Sequence, residues 1–406
     1  MAKTKTKPII TSKEWTSEFN PFNSNKLLAQ VPRWRKILEW KENMGDLPPP
    51  TTVSVDPANI CDLRCEGCNA YKLMSQTNQV MSKDALINLA DFLGSWEVEG
   101  FKVKSTCVGG GGESLLNPHT GDFINRAVDN GVRVGVVTNG THIHKHLEAL
   151  CNCDWVGVSV DTAFQHTYKK IKGADKFPQV IQNIRALVKE AQSNPLKYNL
   201  GAEGNGRGVF FKYLLRPETV SEVYYAAKLA KGLGCKGIHI RPIAPPFGDL
   251  EKAAAEGTTI PNRFSEEDID VFRERLKSAR ALEDDNFKIY GVTHKFDGIF
   301  NPSHDFTECS AAYMSCVVMP PSSKVGAMTD TAKYDLTTCC DRRGDDRLTV
   351  KNLHNADEIA EYWGSDAHRK TAEAIDVTKC PRCTFSPHIK IYDNVVVKDN
   401  MTVDFI

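Results

Sequence analysis

Between residues 51 and 243 the apolar positions alternate between two rhythms. Short runs rich in β-branched and aromatic residues, Thr51–Val55, Lys102–Val108, Val132–Val137, Trp155–Val160, Val209–Leu215 and Gly237–Arg241, predict strands. Longer stretches with helical spacing follow them: Ser82–Leu93, Pro118–Asn130, His142–Leu150, a segment carrying Val180, Ile181, Ile184, Leu187 and Val188, and Val220–Leu233. Thr219 and Glu222 suggest a capping box for the last of these and Gly234 a stop. Strands alternating with helices through short connections imply parallel strands with right-handed crossovers. Periodicity alone leaves a doubly wound sheet and a barrel both open. In either, the loops at the C-terminal ends of the strands carry the site.

The flanks differ. Residues 1–50 carry Trp15, Phe19, Phe22, Trp34 and Trp40, a helix from about Ser24 to Met44 with Pro32 at its break or start, and a closing Pro48-Pro49-Pro50. They read as an extension strapped to the main body. Residues 244–264 are rich in Pro, Gly and Ala and read as a linker, followed by a helix opened by Ser265-Glu266-Glu267-Asp268. From about Phe287 come short strand-like runs (Lys288–Val292, Cys316–Met319, Lys324–Met328), a helical stretch near Ala356–Trp363, and a tail, Ile389–Met401, that reads as a hairpin. The expected divisions are 1–50, 51–243, 244–286 and 287–406.

Composition narrows the function classes. The chain has 406 residues, 41% of them hydrophobic, enough for one large α/β domain with an appendage or for two domains. The formal net charge is zero, so no global field recruits nucleic acid or anionic membrane. No apolar run approaches a membrane span, and Met1–Lys7 lacks the apolar stretch of a signal peptide. A cytoplasmic location is expected. Thirteen cysteines in such a chain read as metal ligands or buried thiols rather than disulfides. Cys107, Cys151, Cys153 and Cys235, within the alternating strand and helix region 51–243, read as buried thiols. His142, His144 and His146 read as a solvated helix start.

The densest chemistry lies just after the first strand, where Cys61, Cys65 and Cys68 stand in the spacing C-x3-C-x2-C. Three thiolates hold three irons of a cubane cluster and leave the fourth open to substrate or cofactor. An open coordination position separates a catalytic metal site from a structural one. A zinc knuckle would call for a second C-x2-C pair or nearby histidines.

On this motif the chain resembles the radical S-adenosylmethionine (radical SAM) superfamily. The resemblance implies a partial (β/α)6 TIM-like barrel, a catalytic 4Fe–4S cluster on Cys61, Cys65 and Cys68, and SAM chelating its open iron. Gly67 stands where the family usually has an aromatic residue. Gly110, Gly111, Gly112 and Glu113 match the GGE motif that holds the SAM amino group. Without the resemblance, those glycines read as a flexible turn. Ser159 and Asp161 occupy the position often used for the SAM ribose; Asp161 also suits a helix cap. Asn139 lies in Thr138-Asn139-Gly140, a common family pattern expected to line the site. Arg216 and Arg241 end the fifth and sixth strands, where either could pair with the SAM carboxylate or a substrate anion.

The C-terminal cysteines are similar to those of the family's twitch and SPASM extensions, which carry auxiliary 4Fe–4S clusters. Cys316, Cys339, Cys380 and Cys383 form the expected ligand set, with Cys340 an alternative to Cys339 and Cys309 an alternative to Cys316. A zinc ribbon also fits that spacing. The extension is expected to be α+β.

The implied reaction is reductive cleavage of SAM to a 5′-deoxyadenosyl radical, followed by hydrogen abstraction from substrate. The expected substrate is a small polar metabolite of sugar or nucleotide type, and the alternative is a peptide or protein side chain. A flavodoxin or ferredoxin is the expected electron donor. A non-catalytic zinc-binding scaffold is the reading from another class. No residue beyond the cluster ligands is assigned a catalytic role.

Overall fold

The computed structural model describes residues 24–70, 73–74, 78–204, 206–245, 247–258, 263–291, 306–321, 332–380 and 383–398. After a 3₁₀ turn at Ser24–Gln30, helix α1 (Val31–Lys41) leads to β1 (Thr52–Val55). Then follow α2 (Lys83–Ser95), the ribbon strands β2 (Glu97–Val98) and β3 (Phe101–Lys102), β4 (Ser105–Val108), α3 (Thr120–Asp129) and β5 (Arg133–Thr138). Next come α4 (Leu147–Cys151), β6 (Trp155–Ser159), α5 (Gln165–Lys172), α6 (Phe177–Ser193), β7 (Gly208–Leu215), α7 (Val223–Gly232) and β8 (Gly237–Pro242). The rest are α8 (Phe247–Ala255), α9 (Glu266–Arg280), β9 (Lys288–Gly291), β10 (Cys316–Met319), β11 (Tyr334–Thr337), β12 (Thr349–Leu353), α10 (Glu358–Tyr362), α11 (Asp366–Glu373) and α12 (Ser386–Ile391).

One ten-stranded sheet runs β12-β11-β10-β1-β4-β5-β6-β7-β8-β9. From β1 through β9 every neighbouring pair is parallel and strand order follows chain order. A doubly wound sheet reverses its winding at a switch point; this one never does. The architecture is therefore α/β, a partial (β/α)6 barrel continued by a mixed extension. β9 extends the sheet beyond the sixth unit. On the other side β10 lies parallel to β1, and β11 and β12 continue antiparallel.

Burial alternates along the strands, as a period of two requires. Val53, Val134, Val136, Val156, Val158, Phe211, Ile238 and Ile240 are buried against the helices. Ser54, Cys107, Trp155, Ser159, Lys212 and Arg241 face the other way and are only half-buried. The core is therefore on the helix side, and the inner face is left for polar groups.

Several elements differ from the sequence reading. Only Ser105–Val108 of the second predicted strand joins the sheet, because Phe101–Lys102 pairs with Glu97–Val98 instead. The stretch 244–264 is not all linker: α8 forms there, helped by the helix-forming run Leu250–Ala255, and Glu251 binds Arg342 and Arg347. The tail is no hairpin. α12 runs into a wide helical turn at Tyr392–Val397, and Ile389, Tyr392 and Val396 are buried. Their spacing of three and four is helical; the Val395–Val397 run had imitated a strand. The expected Glu222 cap is replaced by a 3₁₀ turn, Pro217–Glu222, closed by Thr219 on Arg216. Glu222 instead accepts hydrogen bonds from Thr162 and Thr167. The run Lys324–Met328 lies outside the described residues.

α1 bridges the two halves. Buried Arg33 donates to the carbonyls of Pro49 and Lys102, and Trp363 donates to that of Pro48 at 2.9 Å. Arg369 lies over the Trp40 ring at 4.3 Å.

Candidate active site

The cysteine loop leaves the C-terminal end of β1 and is sewn to α5. Arg64 N donates to Lys172 O at 3.1 Å and Glu66 N to Ile171 O at 3.0 Å. Gly67 turns the chain at φ +68°, a conformation that carries little strain only for glycine. Cys61, Cys65 and Cys68 are all half-exposed on this loop. Burial pushes the Cys61 thiol up to about 12 and also raises Cys65, so a stable thiolate needs a nearby positive centre.

Asn139, after β5, ties the third strand to this loop. Its Nδ2 donates to Asp62 Oδ1 at 2.8 Å and lies 3.8 Å from Cys61 Sγ. Its Oδ1 accepts from the backbone and hydroxyl of Thr141. Glu113 is buried and fastens the second strand end to the third: it accepts from Thr138 Oγ1 at 2.7 Å, Asn139 N at 2.6 Å and Leu115 N at 3.1 Å. Burial pushes its carboxyl up to about 7 against those three bonds.

The glycines before Glu113 have neighbours of their own. A side chain at Gly110 would collide with the Arg343 guanidinium, and one at Gly112 with the Ile60 carbonyl. Gly111 lies against Asp56 and Asn59. The loop is small because this protein's own groups already press on it.

Asp161 sits at φ +68°, and its carboxylate binds Lys172 Nζ and accepts from Leu214 N at 2.7 Å. It does not cap the next helix, whose N-cap Phe164 has no side-chain bond. Despite burial, the Asp161 charge holds Lys172 above the usual lysine range. Ser159 is half-buried on the inner face, paired in register with Lys212. Arg216 is buried, donates to Glu66 O at 2.7 Å, and leaves Nε and Nη1 without a hydrogen-bond partner among the described residues. Arg241 lies on the inner face of β8, where its charge acts on Lys212.

The C-terminal cysteines divide. Cys309, Cys339, Cys380 and Cys383 are half-exposed and feel one another's charge: Cys380 acts on Cys309, and both Cys309 and Cys339 act on Cys383. Cys340 faces Cys339 and Cys383. Cys316 does not join them. It lies inside β10, paired in register with Val53, 1% exposed, and burial alone raises its thiol. The expected ligand Cys316 thus lies in the core of the sheet, and no other cysteine's charge acts on it. His146 is also buried rather than solvated, bonded to Leu115 O at 3.0 Å.

Among the described residues no three His, Cys, Asp or Glu side chains converge as ligands of one metal ion would. One zinc at about 2.3 Å from each sulfur draws its thiolates into contact. A cubane spreads them over separate irons.

Reading by sequence missed the groups that join the two halves. Asp56, fully buried at the end of β1, accepts from Arg343 Nε at 2.6 Å. Arg343 also donates to Gly109 O at 3.2 Å and to Cys340 O. Asp56 holds this guanidinium charged despite its burial. One ion pair therefore links the glycine loop to the C-terminal cysteines, across 287 residues of chain.

Residues 55–201 match the family model described as the Radical SAM superfamily. A protein named as a probable GTP 3′,8-cyclase of Saccharolobus islandicus is 23% identical over 190 residues, 46% of this chain and 55% of its own length. One of the same name from Pyrococcus abyssi is 28% identical over 156 residues, 37% of this chain and 47% of its own. The chain thus spans about half the length of the curated relatives it matches. Among solved structures, Streptococcus suis SuiB bound to S-adenosylmethionine superposes with TM-score 0.56 at 14% identity, covering 88% of this chain and 76% of that one. anSMEcpe with bound AdoMet and a peptide gives TM-score 0.53 at 15% identity, covering 84% and 88%. These likenesses concern the fold. Among the described residues no helix is long and apolar enough to cross a membrane.

Proposed function

We propose, because residues 55–201 match the Radical SAM superfamily model, that the chain is an enzyme that cleaves SAM reductively beside the Cys61, Cys65 and Cys68 loop and abstracts hydrogen from a small polar metabolite. The observation that carries this reading is the junction of three strand ends, where Asn139 reaches Cys61 and Asp62 while its backbone binds Glu113. When bound, a 4Fe–4S cluster and SAM supply the electron and the 5′-deoxyadenosyl radical. The chain's own residues do the rest. The three thiolates hold iron, and Asn139 and Glu113 fix the loops around the open position. Arg216, with buried donors to spare, is placed to take the SAM carboxylate. Ser159, on the inner face, is placed for the ribose. Asp161, held by Lys172 and Leu214, positions the strand end.

The C-terminal region (287–406) holds the second cluster in this reading, with Cys309, Cys339, Cys380 and Cys383 as ligands and Cys340 as alternate to Cys339. A full thiolate set leaves no iron open, so this site would pass electrons rather than bind substrate. A flavodoxin or ferredoxin would donate the first electron. The relatives named as GTP cyclases support a small substrate over a peptide. The test is anaerobic reconstitution with iron and sulfide. About eight irons per chain and 5′-deoxyadenosine formed from SAM with dithionite are expected. Colourless protein retaining zinc and forming no 5′-deoxyadenosine would replace this reading with a zinc-binding scaffold.

A further inference from the structure

The inner face of the barrel carries a cationic group that the radical chemistry does not use. Lys212, on β7, projects inward with its Nζ 3.2 Å from His239 Nδ1 on β8 and 5.5 Å from the centroid of Trp155 on β6. The neighbouring strands are cut away for it. A side chain at Gly157 would collide with the Lys212 stem, and one at Gly135 with the Trp155 ring. The lysine and the tryptophan therefore each lie sideways over a glycine of the preceding strand, on the inner face that also carries Ser159.

No carboxylate among the described residues forms an ion pair with Lys212; its polar neighbours are His239, the Trp155 ring, Arg241 and the Cys107 thiol. By contrast Lys172 and Arg343 each have a carboxylate partner, Asp161 and Asp56. An ammonium withdrawn from water without a counter-ion is costly. Here burial, then the Arg241 charge, lowers it to about 8. An ammonium with no carboxylate partner among the described residues, on a face where a second positive charge acts on it, suits an anion arriving from solution.

We propose that Lys212, His239 and Arg241 form an oxyanion-binding subsite inside the barrel, which takes a phosphate or carboxylate of the substrate and sets its position relative to SAM. This rests on the reading above, because the inner face is where hydrogen abstraction would occur. Lys212 is a binding residue here and takes no part in the radical step.

The test is calorimetric titration of the reconstituted holoenzyme with inorganic pyrophosphate and, separately, with succinate. One of the two should bind at one site per chain, and which one binds separates a phosphate from a carboxylate substrate. Lys212→Met should weaken that binding by about tenfold or more, and Lys212→Arg should restore most of it. Arg241→Gln should show a comparable loss, which keeps the test open if Lys212→Met does not fold. Wild-type affinity should also fall as pH rises through about 8, where the ammonium is lost. Binding of neither anion by wild type, or equal binding by Lys212→Met, overturns the subsite. Absence of 5′-deoxyadenosine from wild type would instead overturn the radical SAM reading, and the anion titration would still stand.

Discussion

The barrel and the C-terminal region reach their cysteine sites in opposite ways. In the barrel, three cysteines lie within one loop after β1, and the parallel strands around it fix where that loop stands. In the C-terminal region the cysteines run from Cys309 to Cys383, on turns and short elements brought together by packing. The first site is local and survives changes elsewhere. The second depends on closing long loops, which costs chain entropy that metal–thiolate bonds can offset. A local site should therefore fail by losing chemistry, and a dispersed one by losing structure.

The sharpest separation comes from the cluster loop. Cys61→Ala, Cys65→Ala and Cys68→Ala should each abolish 5′-deoxyadenosine formation and leave the C-terminal iron, roughly four per chain. Wild-type yield from any one of them would falsify the cluster assignment.

Next is the dispersed site. Cys383→Ala should halve the iron and make residues beyond about 306 protease-sensitive, while SAM cleavage continues. Cys316→Ala serves as its partner: it should keep all its iron and lose only stability, because Cys316 sits in the core. Iron loss in Cys316→Ala would restore the ligand set first read from the sequence.

The join between the regions should respond to Asp56→Ala. That change strands the half-buried Arg343 charge beside the glycine loop, and breaking such a pair costs up to about 3–5 kcal/mol, the range for a fully buried one. Chemical denaturation of Asp56→Ala should show a correspondingly lower midpoint; an unchanged midpoint would mean that the pair does not join the halves.

Acid should loosen the C-terminal region. His368 is fully buried, accepts from Gly364 N and bonds Ala312 O, each at 3.0 Å, and packs on the Trp363 ring. Burial lowers it to about 4. Its folded value lies below the ordinary 6.5, so its contribution is complete above pH 6.5 and is lost as pH falls toward 4, by about 3 kcal/mol. The His368→Gln variant should have a flatter melting profile across that range; an identical profile rules the histidine out as the cause.

The smallest effect is expected at Glu113→Ala, which leaves donors from Thr138, Asn139 and Leu115 unmet at about 1–3 kcal/mol. SAM affinity should fall with iron content unchanged. Loss of iron as well would make Glu113 a support of the cluster loop itself.

What the sequence determined was what short-range rules govern. The alternation of strand and helix rhythms between Thr51 and Arg241 follows from side-chain periods of two and 3.6, and the three-cysteine loop is contained in eight consecutive residues. Barrel against doubly wound sheet could not be read that way, because it depends on which strands pair, and only the register from β1 to β9 decides that. The same limit separated Cys309 from Cys316: both are cysteines at plausible spacing, but one lies on a turn beside Cys380 and the other inside a strand against Val53. It hid the Asp56–Arg343 pair, which joins residues 287 apart, and the setting of Lys212, whose neighbours come from three strands. Burial and counter-ions are properties of space rather than of sequence separation. The tertiary structure alone brings such charges together, and they set the electrostatics of the candidate site.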